Sequence, residues 1–254
     1  MSQAPPDYPV RIQLCGYYSV LVDGEPREDA LPGKQGQRLL AYLVLYRRVP
    51  VERSQLIEVI WGDHPPQAAD PALSALLSKL RLALGDELVS GRGVPAVRLP
   101  EGSWVDVEHA LDSIHRSEAL LAKGEYAGAL GQTGGALYPA KRRFLSGHEG
   151  DWIDVWRRRL DDVHTRALAV YAEASLRLGG LELPNAERAS RELVEKMPYR
   201  ESAYALRMEV LEALGNTAEA LLAYEQLRSR LADDLGASPG PDLQARHERL
   251  LRLM

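Results

Sequence analysis

The side chains best able to bind a metal or attack a carbon centre are scarce in this chain and poorly spaced for either task. Histidines stand at 64, 109, 115, 148, 164 and 247, with no His-Glu-x-x-His and no pair at metal-ligand spacing. Cys15 is the only cysteine, which excludes an internal disulfide and a thiolate metal site. It lies in an apolar, strand-like run and reads as a small core residue. The glycines at 131, 134 and 135 are not followed by the Lys-Ser/Thr of a phosphate loop, and Gly91-x-Gly93 is a turn rather than a nucleotide fingerprint. No enzyme chemistry, metal or cofactor is expected.

What the chain does offer is basic residues in one place. Its net charge of −5 opposes binding to a polyanion, which needs local positive charge. Residues 34–98 depart from that average, with nine cations (Lys34, Arg38, Arg47, Arg48, Arg53, Lys79, Arg81, Arg92, Arg98) against six anions, a balance of +3. Residues 1–33 hold two cations and five anions. The positive segment permits nucleic-acid binding without requiring it.

The elements that would position these cations follow from periodicity. Val10 to Leu14 and Tyr17 to Val22 are β-rich runs, closed by the turn signal Asp23-Gly24. Gln35 to Arg47 carries Leu39, Leu40, Leu43 and Tyr46 on one helical stripe and is stopped by Pro50. Glu52 to Trp61 is a second helix, ended by Gly62 and Pro65-Pro66. A third helix is expected over Asp70–Leu84, with Asp70 as N-cap and Pro71 at the first helical position. Leu73, Leu76, Leu77, Leu80 and Leu84 form its buried stripe, and Gly85 closes it. Leu88-Val89 and Ala96 to Leu99 flank a Gly-Arg-Gly turn and read as a hairpin, followed by Trp104-Val105.

From about Val107 only helical periodicity remains. Helices are expected at 107–123, 125–137, 151–178, 184–196, 201–214, 216–234 and 241–253. Gly180 and Gly215 lie 35 residues apart, close to the tetratricopeptide period. Ala220-Leu-Leu-Ala-Tyr224 fits that repeat's A-x3-aromatic signature. Trp152 and Trp156 begin a stripe through residues 160, 163, 167, 170 and 174 that reads as core packing. Arg157-Arg158-Arg159 reads as a partly solvated face. The expected domains are 1–106 and 107–254. The chain is therefore mainly α with a small β component: a winged helix-turn-helix followed by α-helical, tetratricopeptide-like repeats.

Gly33-Lys-Gln-Gly-Gln-Arg-Leu-Leu40, Leu56-Ile-Glu-Val-Ile-Trp-Gly62, Leu76-Leu-Ser-Lys-Leu-Arg-Leu-Ala-Leu-Gly85 and Leu88-Val-Ser90 resemble the OmpR-type winged helix of actinobacterial antibiotic-regulatory activators. In that family a bacterial transcriptional activation domain follows. Residues 107–254 are similar to it, most clearly in Gly215-Asn-Thr-Ala-Glu-Ala-Leu-Leu-Ala-Tyr-Glu-Gln-Leu227 and Leu235-Gly-Ala-Ser-Pro-Gly-Pro-Asp-Leu243. The resemblance implies a sequence-specific transcription activator. Asp70–Leu84 would be its recognition helix and 90–98 its wing. Its partners would be double-stranded DNA, RNA polymerase and a second protomer placed head to tail on a direct repeat. Family members often carry more polar or basic recognition helices, whereas positions 71, 75, 76 and 82 here are Pro71, Ala75, Leu76 and Leu82.

Burying the leucine stripe turns Ser74, Ala75, Ser78, Lys79 and Leu82 outward, with Arg81 flanking. Lys79 can bond guanine acceptors or a phosphate, and Ser74 and Ser78 can donate to bases or phosphates. Arg92 and Arg98 near the wing, and Lys34 and Arg38 at the start of the first helix, are phosphate candidates. The competing reading is a protein-interaction scaffold whose winged-helix-like domain no longer reads DNA, since helical repeats present partner surfaces. No apolar stretch is long enough to span a bilayer, and Met1 to Asp7 lacks the features of a signal peptide, so a cytoplasmic protein is expected.

Overall fold

The computed structural model describes residues 8–91 and 93–252. It is mainly helical with a small N-terminal sheet, as the periodicity indicated. The chain divides into two compact units, one of Met1–His109 with Pro139–Leu160, the other of Ala110–Tyr138 with Asp161–Met254.

In the first unit, β1 (Val10–Gln13), β2 (Ser19–Val22) and β3 (Glu25–Pro26) form a meander. Asp23 and Gly24 both take positive φ, 51° and 80°, and close the two-residue turn between Val22 and its partner Glu25. Two left-handed residues match the right-handed twist of the strands, which is why Asp-Gly is read as a hairpin turn. Tyr17 was expected in the second strand. It lies before β2 and is exposed, because Gly16 turns the chain at φ 79°. β6 (Trp104–Val105) joins the other edge of β1 in parallel, Ile12 opposite Val105. Between these strands run α1 (Gly33–Leu45), α2 (Arg53–Trp61), α3 (Ala69–Leu84) and the two-stranded hairpin of β4 (Val89–Ser90) and β5 (Ala96–Val97). The three helices contact one another pairwise and bury Leu39, Leu40, Leu43, Leu56, Ile60, Leu73, Leu77 and Leu80. Each such leucine contributes about 1.5–3 kcal/mol. This is a winged helix-turn-helix.

The same unit takes in the end of α5 (Tyr126–Lys141), a loop, and the start of α6 (Asp151–Leu178). Gly16 N–H donates to the Arg143 carbonyl at 2.9 Å and Leu145 N–H to the Leu14 carbonyl at 2.8 Å, so the loop pairs with the chain just after β1. Phe144, Trp152 and Trp156 pack with Tyr42 and Tyr46 of α1, and Trp156 Nε1 donates to Tyr46 Oη at 3.2 Å. Asp106, at the start of α4 (Asp106–Ala122), is buried and accepts from the N–H groups of Leu14, Cys15 and Val107 at 2.8–2.9 Å. Burial pushes its carboxyl above the ordinary value, and those three bonds pull it back. Cys15 is fully buried, and its thiol is pushed far above its ordinary value by that burial and by Asp106.

The second unit is helical: beside most of α4 and α5 and the later part of α6 it holds α7 (Leu183–Lys196), α8 (Glu201–Ala213), α9 (Thr217–Leu235) and α10 (Pro241–Leu251). Each packs on the next, over a core that includes Leu193, Tyr204, Met208, Leu227, Leu231 and Leu250. Asp161 pairs with Lys196, and Tyr199 Oη donates to Asp234, each across 35 residues. That is the interval between Gly180 and Gly215, while other pairs between these helices span 32 and 37 residues, as Arg177–Glu209 and Arg249–Glu212 do.

Candidate nucleic-acid interface

α3 begins at Ala69, after Ala68, with no side-chain cap. Asp70 therefore lies inside the first turn instead of capping it. Its carboxylate is taken by Arg53, whose Nε donates to Asp70 Oδ1 at 2.7 Å. That hydrogen bond is the main cause holding the Asp70 carboxyl below its ordinary range. A charge-assisted bond from a guanidinium outcompetes a local N-cap bond. The same Arg53 reaches the Asp70 carbonyl at 3.1 Å and Ser74 Oγ at 2.7 Å, tying the start of α2 to the start of α3.

The buried leucine stripe of α3 is Leu73, Leu76, Leu77, Leu80 and Leu84, as periodicity indicated. The opposite face carries Ala75, Ser78, Lys79 and Leu82, all exposed. Ser78 and Lys79 have no side-chain partner among the described residues, so their donors are available to a ligand. Leu82 is 90% exposed. From Pro71 to Leu84 the helix holds no acidic residue.

The remaining candidates fall in other surroundings. Ser74 is exposed, but its hydroxyl donates to the Asp70 carbonyl at 3.0 Å while accepting from Arg53. Arg81 is half-buried and donates from Nη2 to the Gly91 carbonyl at 2.7 Å, anchoring the wing turn to α3. Gly91 has φ 81°, and a Cβ there would meet the Val94 carbonyl oxygen at 1.9 Å, so only glycine fits beneath this anchor. Arg98 continues the hairpin, its N–H donating to the Leu88 carbonyl at 2.9 Å, and its side chain is exposed. Arg92 lies outside the described residues.

Lys34 and Arg38 sit on α1 and face the loop after α5. Lys34 Nζ donates to the Gly147 carbonyl at 3.1 Å and remains exposed. Arg38 bonds the Ile60 carbonyl at the end of α2, at 3.1 Å, and the Glu149 carbonyl. Its Nε is buried without a partner. Burial holds the guanidinium below its ordinary pKa, against the pull of Glu149. Arg38 is thus a strut joining α1, α2 and the loop.

Two residues that organise these surfaces had no distinguishing mark in the sequence. Arg53 was one cation among nine. Arg157 belongs to an arginine triplet that reads as solvated, yet it gathers the loop: it donates to the carbonyls of Phe144 at 3.3 Å and His148 at 2.6 Å, and to Glu149 Oε2 and Asp154 Oδ1 at 2.8 and 2.9 Å. His148 is buried in the same cluster, its Nε2 donating to Gln37 Oε1 at 3.1 Å. Among the described residues no group of three or more His, Cys, Asp or Glu could hold a metal, and no helix is long and apolar enough to cross a membrane.

Comparison with known proteins adds to this geometry. Residues 105–251 match the bacterial transcriptional activator domain. The chain is 28% identical over 252 residues to the transcriptional regulatory protein EmbR of Mycobacterium tuberculosis, covering 94% of this chain and 62% of that protein. It is 33% identical over 247 residues to the regulatory protein AfsR of Streptomyces coelicolor, covering 96% of this chain and 24% of AfsR. The regulatory protein DnrI of Streptomyces peucetius is 26% identical over 238 residues, with 86% of this chain and 84% of DnrI covered. The solved structure of Mycobacterium tuberculosis EmbR in complex with a low-affinity phosphopeptide is similar with a TM-score of 0.82 at 25% identity, over 96% of this chain and 65% of that one. The chain therefore spans less than two thirds of EmbR and about a quarter of AfsR.

Proposed function

This chain belongs to the actinobacterial antibiotic-regulatory family of transcriptional activators that carry the bacterial transcriptional activator domain, and from that membership we propose that it activates transcription by docking α3 in the major groove of duplex DNA. The observation that carries the reading is the outward face of α3, which has no acid from Pro71 to Leu84 and presents the donors of Ser78 and Lys79, unpartnered among the described residues. A helix of this width fits the major groove. Lys79 reaches guanine acceptors or a phosphate, and Ser78 donates to either.

The other candidates divide by what they already bond. Arg98 and Lys34 are exposed and supply phosphate contacts, Lys34 through the two protons its Gly147 bond leaves. Arg92 would act beside Arg98 on the wing. Ser74, Arg81 and Arg38 are engaged within the protein and hold α3, the wing and α2 in register. The helical repeats would contact RNA polymerase or a neighbouring protomer.

One α3 offers two or three base contacts of about 1–3 kcal/mol each, too few to find one promoter in a genome. Two protomers head to tail on a direct repeat, with centres roughly 10–10.5 bp apart or a multiple of that, supply the rest. Binding of purified protein to duplex DNA from upstream of its own gene, followed across a salt series, tests the reading. Four phosphate contacts per protomer, from Lys34, Lys79, Arg92 and Arg98, give a slope of log K against log salt of about −7 for a dimer. Inserting about 5 bp between repeats should abolish cooperativity, and inserting a full turn should restore it. Absence of duplex binding at low salt would overturn the reading in favour of a protein-interaction scaffold. Equal occupancy at every spacing would overturn the head-to-tail arrangement.

A further inference from the structure

Leucine is the most apolar residue on the outward face of α3, and the core does not use it. Leu82 is 90% exposed on a helix whose five other leucines are buried. A lone surface leucine needs no explanation in general. This one stands at i+3 and i+4 from the unpartnered Lys79 and Ser78, and at i+7 from Ala75, all on one stripe. Water is a poor environment for that side chain, and a protein partner of ordinary mixed charge would find Lys79 beside it with no acid from Pro71 to Leu84. The surface that matches an apolar group set among cationic and hydroxyl donors is a polyanion bearing its own apolar groups. Duplex DNA has one kind of apolar group in the major groove, the C5-methyl of thymine.

We infer that Leu82 is a specificity-determining residue that reads a thymine methyl group in each half-site. The inference rests on the proposed docking of α3 in the major groove. Against thymine, the isobutyl group and the methyl exclude water from each other. Against cytosine, the same isobutyl group covers the N4 amino group and offers it no acceptor, so the wrong base costs a hydrogen bond. Ala75 and Leu82 are about 10.5 Å apart along the helix axis and address different base pairs. The two groups differ in reach: the alanine methyl ends at Cβ, while the leucine branch extends beyond it. The departures from a polar recognition helix at positions 75 and 82 thus become a means of reading A·T pairs.

The test uses the full chain and a duplex recovered from a random pool by binding. Each thymine of that duplex is replaced in turn by deoxyuridine, which removes only the methyl group. Wild-type protein should lose about fourfold in affinity at one position per half-site. Leu82→Ala should bind the thymine duplex about tenfold more weakly and be indifferent to uracil at that position. Leu82→Met should keep the uracil sensitivity. Placing cytosine at the position should weaken wild-type binding, and 5-methylcytosine should recover part of the loss. Leu82 is 90% exposed, so its variants should melt with the wild type. Uracil tolerance at every position, or a uracil effect that survives Leu82→Ala, overturns the assignment while leaving DNA docking in place. Failure to recover any duplex overturns docking and the assignment together.

Discussion

The outward face of α3 and the loop at 141–150 both gather basic side chains, and they differ in what those side chains bond. On α3, Lys79 has no partner among the described residues and the helix has no acid from Pro71 to Leu84. At the loop, Arg38 and Arg157 are spent on backbone carbonyls, those of Ile60 and Glu149 and of Phe144 and His148, whereas the exposed Lys34 gives Gly147 one proton of three. A guanidinium whose donors end on carbonyls fixes a chain path. A cation whose donors end in water is available to a ligand. The local excess of positive charge therefore overstates the candidate interface, because part of it holds the helix-turn-helix in shape.

The largest effect expected from this comparison is at the loop. Arg157→Ala removes the donors that gather Phe144, His148, Glu149 and Asp154, leaving the part-buried carbonyls of Phe144 and His148 without them. At about 1 kcal/mol for each bond not replaced by water, the loss should be about 2–3 kcal/mol. Thermal unfolding followed by circular dichroism should show it as a drop of about 10 °C. The slope of DNA affinity against salt should stay at the wild-type value. A changed slope with unchanged stability would place Arg157 in the interface and collapse the distinction.

Lys79→Ala should do the reverse. Melting should be unchanged, because Lys79 is exposed and has no side-chain partner among the described residues. Duplex affinity should fall about tenfold across all sequences, and the salt slope should shrink by about one per protomer. Loss of affinity for G-containing sites only would instead assign Lys79 to base reading. Wild-type affinity in the variant would remove α3 from the interface.

What separates these two regions was only partly legible in the sequence. The helices were, because each carries a local signature. The 28 residues of α6 fall on the expected 151–178, and Gly62, Gly85 and Gly215 stop α2, α3 and α8 where breakers should. The outward set of α3 followed from its leucine stripe alone. Long-range pairing leaves no such signature. Nothing near Trp104 says that it will lie parallel to β1, and nothing near Phe144 says that it will face Cys15. Rules of local chemistry also failed where a distant charge was stronger, as when Arg53 took the Asp70 carboxylate from its expected cap role. Arg38 and Arg157 could not be told from solvated cations because their partners are backbone carbonyls, which every residue has.

The smallest expected effect, and the finest division of the two regions, comes from His148. Burial lowers its pKa below the ordinary 6.5, and the charges of Arg38, Lys34 and Arg157 lower it further against the opposing Glu149. Its neutral form is therefore the one the fold accepts. Above about pH 6.5 the folded and unfolded chains both hold it neutral, and it adds no pH dependence. Below that, the unfolded chain takes up a proton that the folded chain refuses, so stability falls until the folded value is passed. The slope from one such group is at most about 1.4 kcal/mol per pH unit. Carboxylates add their own slope under acid conditions, so the measurement is a difference between proteins: urea unfolding of wild type and His148→Gln at pH 7.5 and 5.5. Glutamine retains a donor for Gln37 and cannot charge, so the variant should lose less stability over that interval. Hydrogen exchange then locates the effect. Protonation adds a fourth cation to a cluster whose carbonyls are already claimed, so the Leu145 amide, bonded to Leu14, should lose protection as pH falls after correction for intrinsic rates. The amides of Leu76 to Leu80 in α3 should not. Equal loss in both segments would mean that the loop and α3 open as one unit, and that Arg38 transmits the charge of the loop to α3 through the end of α2.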